Sequence, residues 1–298
     1  MKSLGLVGVN TYHAEAFTRI FNGSPDAGPP IEDARITHVW AGEYTERLAE
    51  LEGMLGAYDT TVTDHTQMIG AVDGVLVVDD TGLGERHAEL ARPFVEAGMP
   101  VFIDKPMTIE LGDAVELFDL AETHNAPLMS CSALRFTVEQ AAIQDQIDAL
   151  GAISSINSVG PGVWFNYGVH AVELVGALAD ARPASVHRFA LDEKDVAVVT
   201  YESGMVATIQ TLRDAAYVFN AAVFGEKGHL AFDVNDGMGF YTNTMKAFVE
   251  MIETRTSPVS REQTLDVLAI LHAGDRSAET GTTVNISDMM STILENAR

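Results

Sequence analysis

Three polar side chains stand where their types and spacing suit chemistry: Lys105, Asn166 and His170. Lys105 belongs to Val101–Met107, which reads V-F-I-D-K-P-M. The apolar run predicts the end of a buried parallel strand. Pro106 stops it, because proline fixes φ and has no N–H for the ladder. The residue before a proline is held extended, so Lys105 points in a restricted direction. Ligands of open parallel α/β sheets bind beyond the carboxyl ends of the strands. A lysine there either meets a ligand or is an ordinary solvated side chain at a strand end. Only five of the 18 basic residues are lysines, which makes this one more notable.

Asn166 and His170 lie in W-F-N-Y-G-V-H, residues 164–170. Residues four apart share a helix face. Glu173, three residues beyond His170, is placed to hold its ring from the same side. Histidine is the usual general acid or base near neutral pH. The competing reading is a core histidine hydrogen-bonded to Glu173. The nine histidines show no metal-site spacing, so no metal is expected. The nucleophile-elbow and P-loop signatures are absent.

The elements that must position these groups fall into two series. Ser3–Val9 is a short apolar strand running into a helix whose Ala14, Phe17, Ile20 and Phe21 keep helical spacing. Between them the chain reads Gly8-Val-Asn10-Thr-Tyr-His13. A dinucleotide loop carries G-x-G-x-x-G at this point, and one glycine of the three is present. Asparagine tolerates the left-handed region better than most residues, so Asn10 partly replaces a glycine. His13 does not replace the third glycine's part in close helix–strand packing. An anion would lie over Asn10, Thr11 and Tyr12, at the N-terminus of that helix. Ile36–Ala41 is a second strand, followed by Glu43 where a carboxylate would accept ribose hydroxyls. Glu43 serves equally well to begin the next helix, where acids favour the dipole. Helix is expected over Thr45–Leu55 and a short one over Asp64–Ile69. A third strand, Gly74–Val78, ends at Asp79 and Asp80, which bind a ligand or cap a turn. Helix His87–Ala97, strand Val101–Asp104, helix Leu111–His124 and strand Pro127–Ser132, holding Cys131, complete the alternation. This order predicts a doubly wound parallel sheet over residues 1–131.

Residues 132–298 follow a different pattern. A helix at Val138–Leu150 precedes extended segments at Ser154–Val159, Ala184–Ala190, Ala197–Tyr201, Val206–Leu212, Ala221–Gly225 and His229–Asp233. Turns between consecutive segments predict an open, mostly antiparallel sheet. One helix near Gly168–Ala179 interrupts it, and helices at Thr244–Glu253 and Glu262–Thr280 close the chain.

Net charge is −25, which argues against nucleic acid and anionic membranes as partners. No apolar run approaches the ~20 residues of a membrane span. The N-terminus lacks a signal-peptide layout and the one cysteine excludes an intrachain disulfide, so a cytoplasmic location is expected. Alternating apolar residues in V-A-V-V-T-Y and A-T-I-Q-T-L point to a homo-oligomer, a dimer or tetramer, through the second sheet.

The stretch His87–Pro106, ending in D-K-P, resembles the helix–strand leading into E-K-P of the Gfo/Idh/MocA (glucose–fructose oxidoreductase/inositol dehydrogenase) family. Tyr167–His170 is similar to the family's Y-G-x-H segment. The closing S-P-V-S-R-E-Q-T-L-D-V-L-A-I and G-T-T-V-N-I segments also resemble it. The resemblance spans nearly the whole chain. It implies a Rossmann domain and an α/β domain with an open sheet that often forms oligomer contacts. It implies a nicotinamide cofactor, NAD with NADP not excluded, and a sugar or cyclitol substrate. It further implies cofactor contacts from Gly8, Asn10, Thr11, Tyr12, Glu43, Asp79, Asp80, Asp104 and Lys105. Lys105, His170 and Asn166 become the catalytic candidates. The chain departs from the family in its phosphate loop and at Asn166, which stands where the family has a catalytic aspartate. The expected activity is hydride transfer. A ligand-binding or regulatory protein without catalysis, and a redox-assisted glycoside lyase, are the alternatives.

Overall fold

The strands and helices of residues 1–24 and 26–296, which the computed structural model describes, sort into two units. One comprises Met1–Cys131 with Tyr241–Arg261, the other Ser132–Phe240 with Glu262–Arg298.

In the first unit, β1 (Lys2–Val7), α1 (Tyr12–Asn22), β2 (Ala34–Trp40), α2 (Thr45–Leu55) and β3 (Thr60–Thr61) are followed by β4 (Gly74–Val77) and α3 (His87–Glu96). Then come β5 (Val101–Ile103), α4 (Leu111–His124) and β6 (Leu128–Ser130). The strands are parallel in the order β3-β2-β1-β4-β5-β6. The order reverses between β1 and β4, which is where a doubly wound sheet opens its ligand crevice. β4 and β5 are buried along their whole length, as central parallel strands covered on both faces must be, and the edge strand β6 is buried as well. Helix limits follow local signals. Thr11 caps α1 by accepting from the His13 amide, and Asn125, at φ 51°, ends α4 in the left-handed region. Cys131 is buried but lies just past β6, and Asp64–Ile69 holds one 3₁₀ turn, His65–Met68, capped by Asp64 and Gln67.

The second unit starts with α5 (Val138–Ala142) and α6 (Gln144–Asp148), two short helices where one was expected. The break is Ile143, at φ −115° and ψ 11°. It continues through β7 (Ile153–Pro161), α7 (Trp164–Gly176), β8 (Pro183–Leu191), β9 (Lys194–Tyr201), β10 (Val206–Leu212), β11 (Asn220–Gly225) and β12 (Gly228–Asp233). After α8 (Gly237–Thr254) come α9 (Arg261–Thr280), β13 (Val284–Asn285) and α10 (Ile286–Asn296). The sheet runs β12-β11-β7-β10-β9-β8-β13, and every neighbouring pair except β7 with β10 is antiparallel. Burial alternates along β9 and β10: Ala197, Val199, Ala207 and Ile209 are fully buried, while Val196, Val198 and Thr208 between them are half-buried. α7 packs on the buried face, where a Cβ on Gly168 would lie 3.4 Å from Thr211 Cγ2. α7 begins earlier than its periodicity suggests, because Trp164 is buried and its Nε1 donates to the Leu271 carbonyl at 3.0 Å. α10 was not foreseen; Asn285 Oδ1 caps it by accepting from the Asp288 amide.

The sequence pattern assigned all of residues 132–298 to the second unit. Tyr241–Arg261, most of α8 included, instead packs with the first. Phe248 sets its ring edge-on to Phe102 at 6.1 Å between centroids. Gly74 leaves room for the helix, since a Cβ there would come within 2.8 Å of Ile252 Cδ1. Among the described residues no helix is long and apolar enough to cross a membrane.

Gly8 is required by the backbone itself. Its φ is +98°, and a Cβ would lie 2.5 Å from the Asp79 amide nitrogen. Gly8→Ala therefore strains the backbone and pushes the β1 and β4 ends apart. A loss on the order of 2 kcal/mol or more is expected, read as a lower denaturant midpoint. An unchanged midpoint would show that the turn relaxes freely.

Candidate active site

At the carboxyl edge of the first sheet, the turn out of β1 is tied to the turn out of β4. Asn10 Oδ1 accepts from the Asp80 amide at 3.0 Å, and Asn10 Nδ2 donates to Thr81 Oγ1 at 3.2 Å. Tyr44 OH reaches the same threonine oxygen at 3.0 Å. Asp79 is buried and its Oδ1 accepts from the Thr81 amide at 3.1 Å, so this carboxylate caps the turn. The side chains thus close the edge without occupying the amides above it. The backbone N–H groups of Asn10, Thr11 and Tyr12 find no acceptor among the described residues. Three neighbouring donors at the N-terminus of an eleven-residue helix make a seat for an anion such as a pyrophosphate. The site therefore fits a dinucleotide despite its missing glycines. Tyr12 is 58% exposed beside it, and Glu43 is exposed in the turn between β2 and α2.

Lys105 follows β5 at the same edge, with a cis bond to Pro106. It is half-buried and makes no hydrogen bond or close ion pair among the described residues. Its charge reaches two neighbouring carboxyls. Partial burial holds the Asp80 carboxyl above its ordinary value, and Lys105 opposes that rise. Asp104 is turned inward instead. Its Oδ2 pairs with His13 Nδ1, and His13 Nε2 lies 2.9 Å from Tyr241 OH. Burial pushes the Asp104 carboxyl up, but the charge and hydrogen bond of His13, with help from Lys105 and His87, outweigh it. The carboxyl stays well below its ordinary range. The imidazole that replaces the third glycine is accommodated by this pairing and by stacking on Phe17 at 5.6 Å.

In the second unit, α7 carries Asn166 and His170 on one face, both half-buried. Asn166 has no hydrogen-bond partner among the described residues. Phe219 and Tyr167 set their rings edge-on to His170 at 5.4 and 5.8 Å. Glu173 does not hold that ring in the manner its spacing suggested. Its Oε1 pairs with Arg135 Nε and its Oε2 accepts from the Ser132 amide at 3.2 Å. The ring is met by Ser132, whose Oγ lies 2.7 Å from His170 Nδ1. Ser132, Arg135 and Tyr241 were missed by the sequence pattern. Nothing local marks them, since their partners lie 38 or 228 residues away. Among the described residues no group of three or more His, Cys, Asp or Glu is placed to hold a metal ion.

The buried Asp104–His13 pair gives the first unit a pH dependence of known sign. A carboxyl with a depressed folded-state value contributes stability above its ordinary value of 3.8 and loses it as pH falls below that. Asp104→Asn should lower the melting temperature at neutral pH and flatten its decline as pH drops from about 5 to below 3.8. Parallel acid limbs in parent and variant would show that the pair carries no such linkage.

Comparison with known proteins bears on the first unit directly. Residues 2–131 match the model of an oxidoreductase family with an NAD-binding Rossmann fold, GFO_IDH_MocA. D-xylose 1-dehydrogenase (NADP(+)) 2 of Haloferax volcanii is 23% identical over 282 residues, covering 78% of this chain and 84% of the relative. Inositol 2-dehydrogenase 3 of Saccharopolyspora erythraea is 27% identical over 150 residues, 49% of this chain and 39% of the relative. Among solved structures, scyllo-inositol dehydrogenase of Lactobacillus casei, with NAD(H) and scyllo-inositol bound, superposes with a TM-score of 0.82. It is 17% identical, over 96% of this chain and 99% of that one. An oxidoreductase of Agrobacterium radiobacter, in complex with NAD+, L-tartaric acid and magnesium, gives 0.82 at 12% identity, over 97% and 99%. Over residues 2–131, then, this chain is similar to the NAD-binding Rossmann domain of the GFO_IDH_MocA oxidoreductase family.

Proposed function

We propose that the chain is an NAD(P)-dependent oxidoreductase moving a hydride between a nicotinamide cofactor and a hydroxyl or ketone carbon of a sugar or cyclitol. The observation that carries this reading is the set of three acceptor-free amides, Asn10 to Tyr12, over the sheet's reversal point. The xylose and inositol dehydrogenases among the relatives support the substrate class. Glu43 favours NAD, because its carboxylate would repel a 2′-phosphate. The NADP-named xylose relative keeps NADP within the reading.

When bound, the nicotinamide supplies the hydride acceptor or donor. The protein supplies binding, orientation and charge. The open amides of Asn10, Thr11 and Tyr12 would hold the cofactor's pyrophosphate. Oxidation of a carbinol would give up a hydride, with its two electrons, and release the hydroxyl proton that the protein must take up; reduction would reverse both. Lys105 stabilises negative charge on the reacting oxygen, as a point charge beside a developing alkoxide. His170 is proposed to move the hydroxyl proton, and Asn166 to orient the substrate by hydrogen bonding. Lys105→Met keeps most of the stem and removes the charge, which should cost on the order of 10²–10³ in kcat. Cofactor binding should survive, since the pyrophosphate seat is backbone. Near-parental turnover of Lys105→Met on an identified sugar or polyol would remove Lys105 from the chemistry.

Asn166 and the single-glycine loop favour a second reading, a ligand-binding or regulatory protein without catalysis. Calorimetry separates the two at the first step. NAD(H) or NADP(H) is expected to bind; no heat at millimolar nucleotide would leave only the second.

The same reading includes self-association. The half-buried face of β9 and β10, with Phe189 and Leu191 exposed at the neighbouring strand, is the surface proposed to meet a second copy. Light scattering should report a dimer or tetramer, and a monomer at working concentration would reject this interface.

A further inference from the structure

Lys105 is held in place by its neighbours. Neither its backbone nor its side chain makes a hydrogen bond among the described residues. The residue before it is anchored twice. The Asp104 amide donates to the Val77 carbonyl at 2.9 Å, and the Asp104 carboxylate pairs with His13. Pro106, the residue after it, has no N–H, so its carbonyl is the one main-chain polar group that can anchor that side. Pro106 is buried, and the partner of its carbonyl is His87, whose Nδ1 lies 3.0 Å away. A carbonyl oxygen only accepts. His87 Nδ1 therefore carries the hydrogen of this bond, in the neutral and the protonated ring alike.

His87 is 2% exposed, and its Nε2 is buried without a hydrogen-bond partner. An unmade buried hydrogen bond costs on the order of 1–3 kcal/mol, which an apolar residue here would not incur. What the imidazole adds at this place is its bond to Pro106. The chain around it is shaped to that bond. His87 opens α3, and its amide donates to the Gly84 carbonyl at 3.0 Å. Gly84, at φ +96°, covers the contact: a Cβ there would lie 2.8 Å from His87 Nδ1 and 3.3 Å from the Pro106 oxygen. The turn out of β4 is thus tied to the turn out of β5, as the turn out of β1 is tied to that of β4.

We infer that His87 is a positioning residue for Lys105: its Nδ1–H holds the Pro106 carbonyl and so fixes the far side of the lysine's backbone. Asp104 fixes the near side. With both ends pinned, the direction in which the lysine side chain leaves the sheet is set, although the lysine itself is bonded to nothing. The consequence for turnover rests on the oxidoreductase reading, in which the Lys105 charge meets the reacting oxygen. A misplacement of about 1 Å in such a group can cost on the order of 10² in rate.

The test separates the donor from the volume it fills. His87→Phe keeps a ring and removes the donor. His87→Asn keeps an N–H near the Nδ1 position and loses the rest of the ring. Circular dichroism and a melting curve check that each variant folds; should His87→Phe not fold, His87→Leu removes the same donor with less volume and is read the same way. Reductive ¹³C-methylation labels the five lysines, and ¹H–¹³C correlation reads them in the protein alone, with Lys105 assigned by its loss in Lys105→Met. His87→Phe should shift the Lys105 signal and leave the other lysines in place, and His87→Asn should return it toward the parental position. An unmoved Lys105 signal in His87→Phe, or the same displacement in both variants, overturns the inference and leaves the oxidoreductase reading untouched. Failure of that reading shows instead as absent nucleotide binding by the parent. With a turned-over substrate in hand, His87→Phe should lose about tenfold or more in kcat with little change in KM, and His87→Asn should retain more. Parental kcat in His87→Phe would remove His87 from its role.

Discussion

The carboxyl edge of the first sheet depends on one short-range constraint, the contact between the turns leaving β1 and β4. Gly8 brings the two backbones close enough that no Cβ fits, and the Asn10 side chain then bonds both Asp80 and Thr81 across the gap. A glycine-rich loop reaches a phosphate by having no side chains in the way. Here a side chain is present but is tied sideways into the next turn. The amides above it stay open, and the turn is held by hydrogen bonds that glycine would not supply. The same economy operates one turn further on, where the imidazole of His13 fills the slot that a third glycine would leave and is held there by Asp104 and Tyr241.

Each unit places a buried carboxylate with a side-chain partner beside residues of the proposed chemistry. Asp104 with His13 underlies Lys105, and Glu173 with Arg135 underlies Ser132 and His170. Such pairs are weak evidence for stability, because desolvation offsets much of their attraction. Their value here is directional. Asp104 is turned inward to His13, and the neighbouring lysine makes no close ion pair with it among the described residues. Glu173 is spent on an arginine and a backbone amide, so the neighbouring histidine has a hydroxyl for company.

Much of this was legible in the chain. Alternating apolar runs and helical spacings gave the doubly wound order, and the limits of α4 and β10 match their pattern because caps and turns mark them locally. Lys105 was legible because Pro106 follows a strand. The allegiance of α8 was not, since a helix's apolar stripe does not say which sheet it will cover. Nor were the partners of His13 and His170. The spacing of Glu173 suggested a bond to His170 that Arg135 diverts. A hydrogen bond between side chains distant in sequence leaves no local signature.

The half-buried face of β9 and β10 belongs to a chain of net charge −25. Two such chains approaching each other repel at long range, over the ~10 Å Debye length of 0.1 M salt, while the apolar strands attract at contact. Raising ionic strength shortens the repulsion and leaves hydrophobic attraction in place. Assembly through that face would therefore be promoted by salt, and it would be weakest in the dilute buffers commonly chosen for purification.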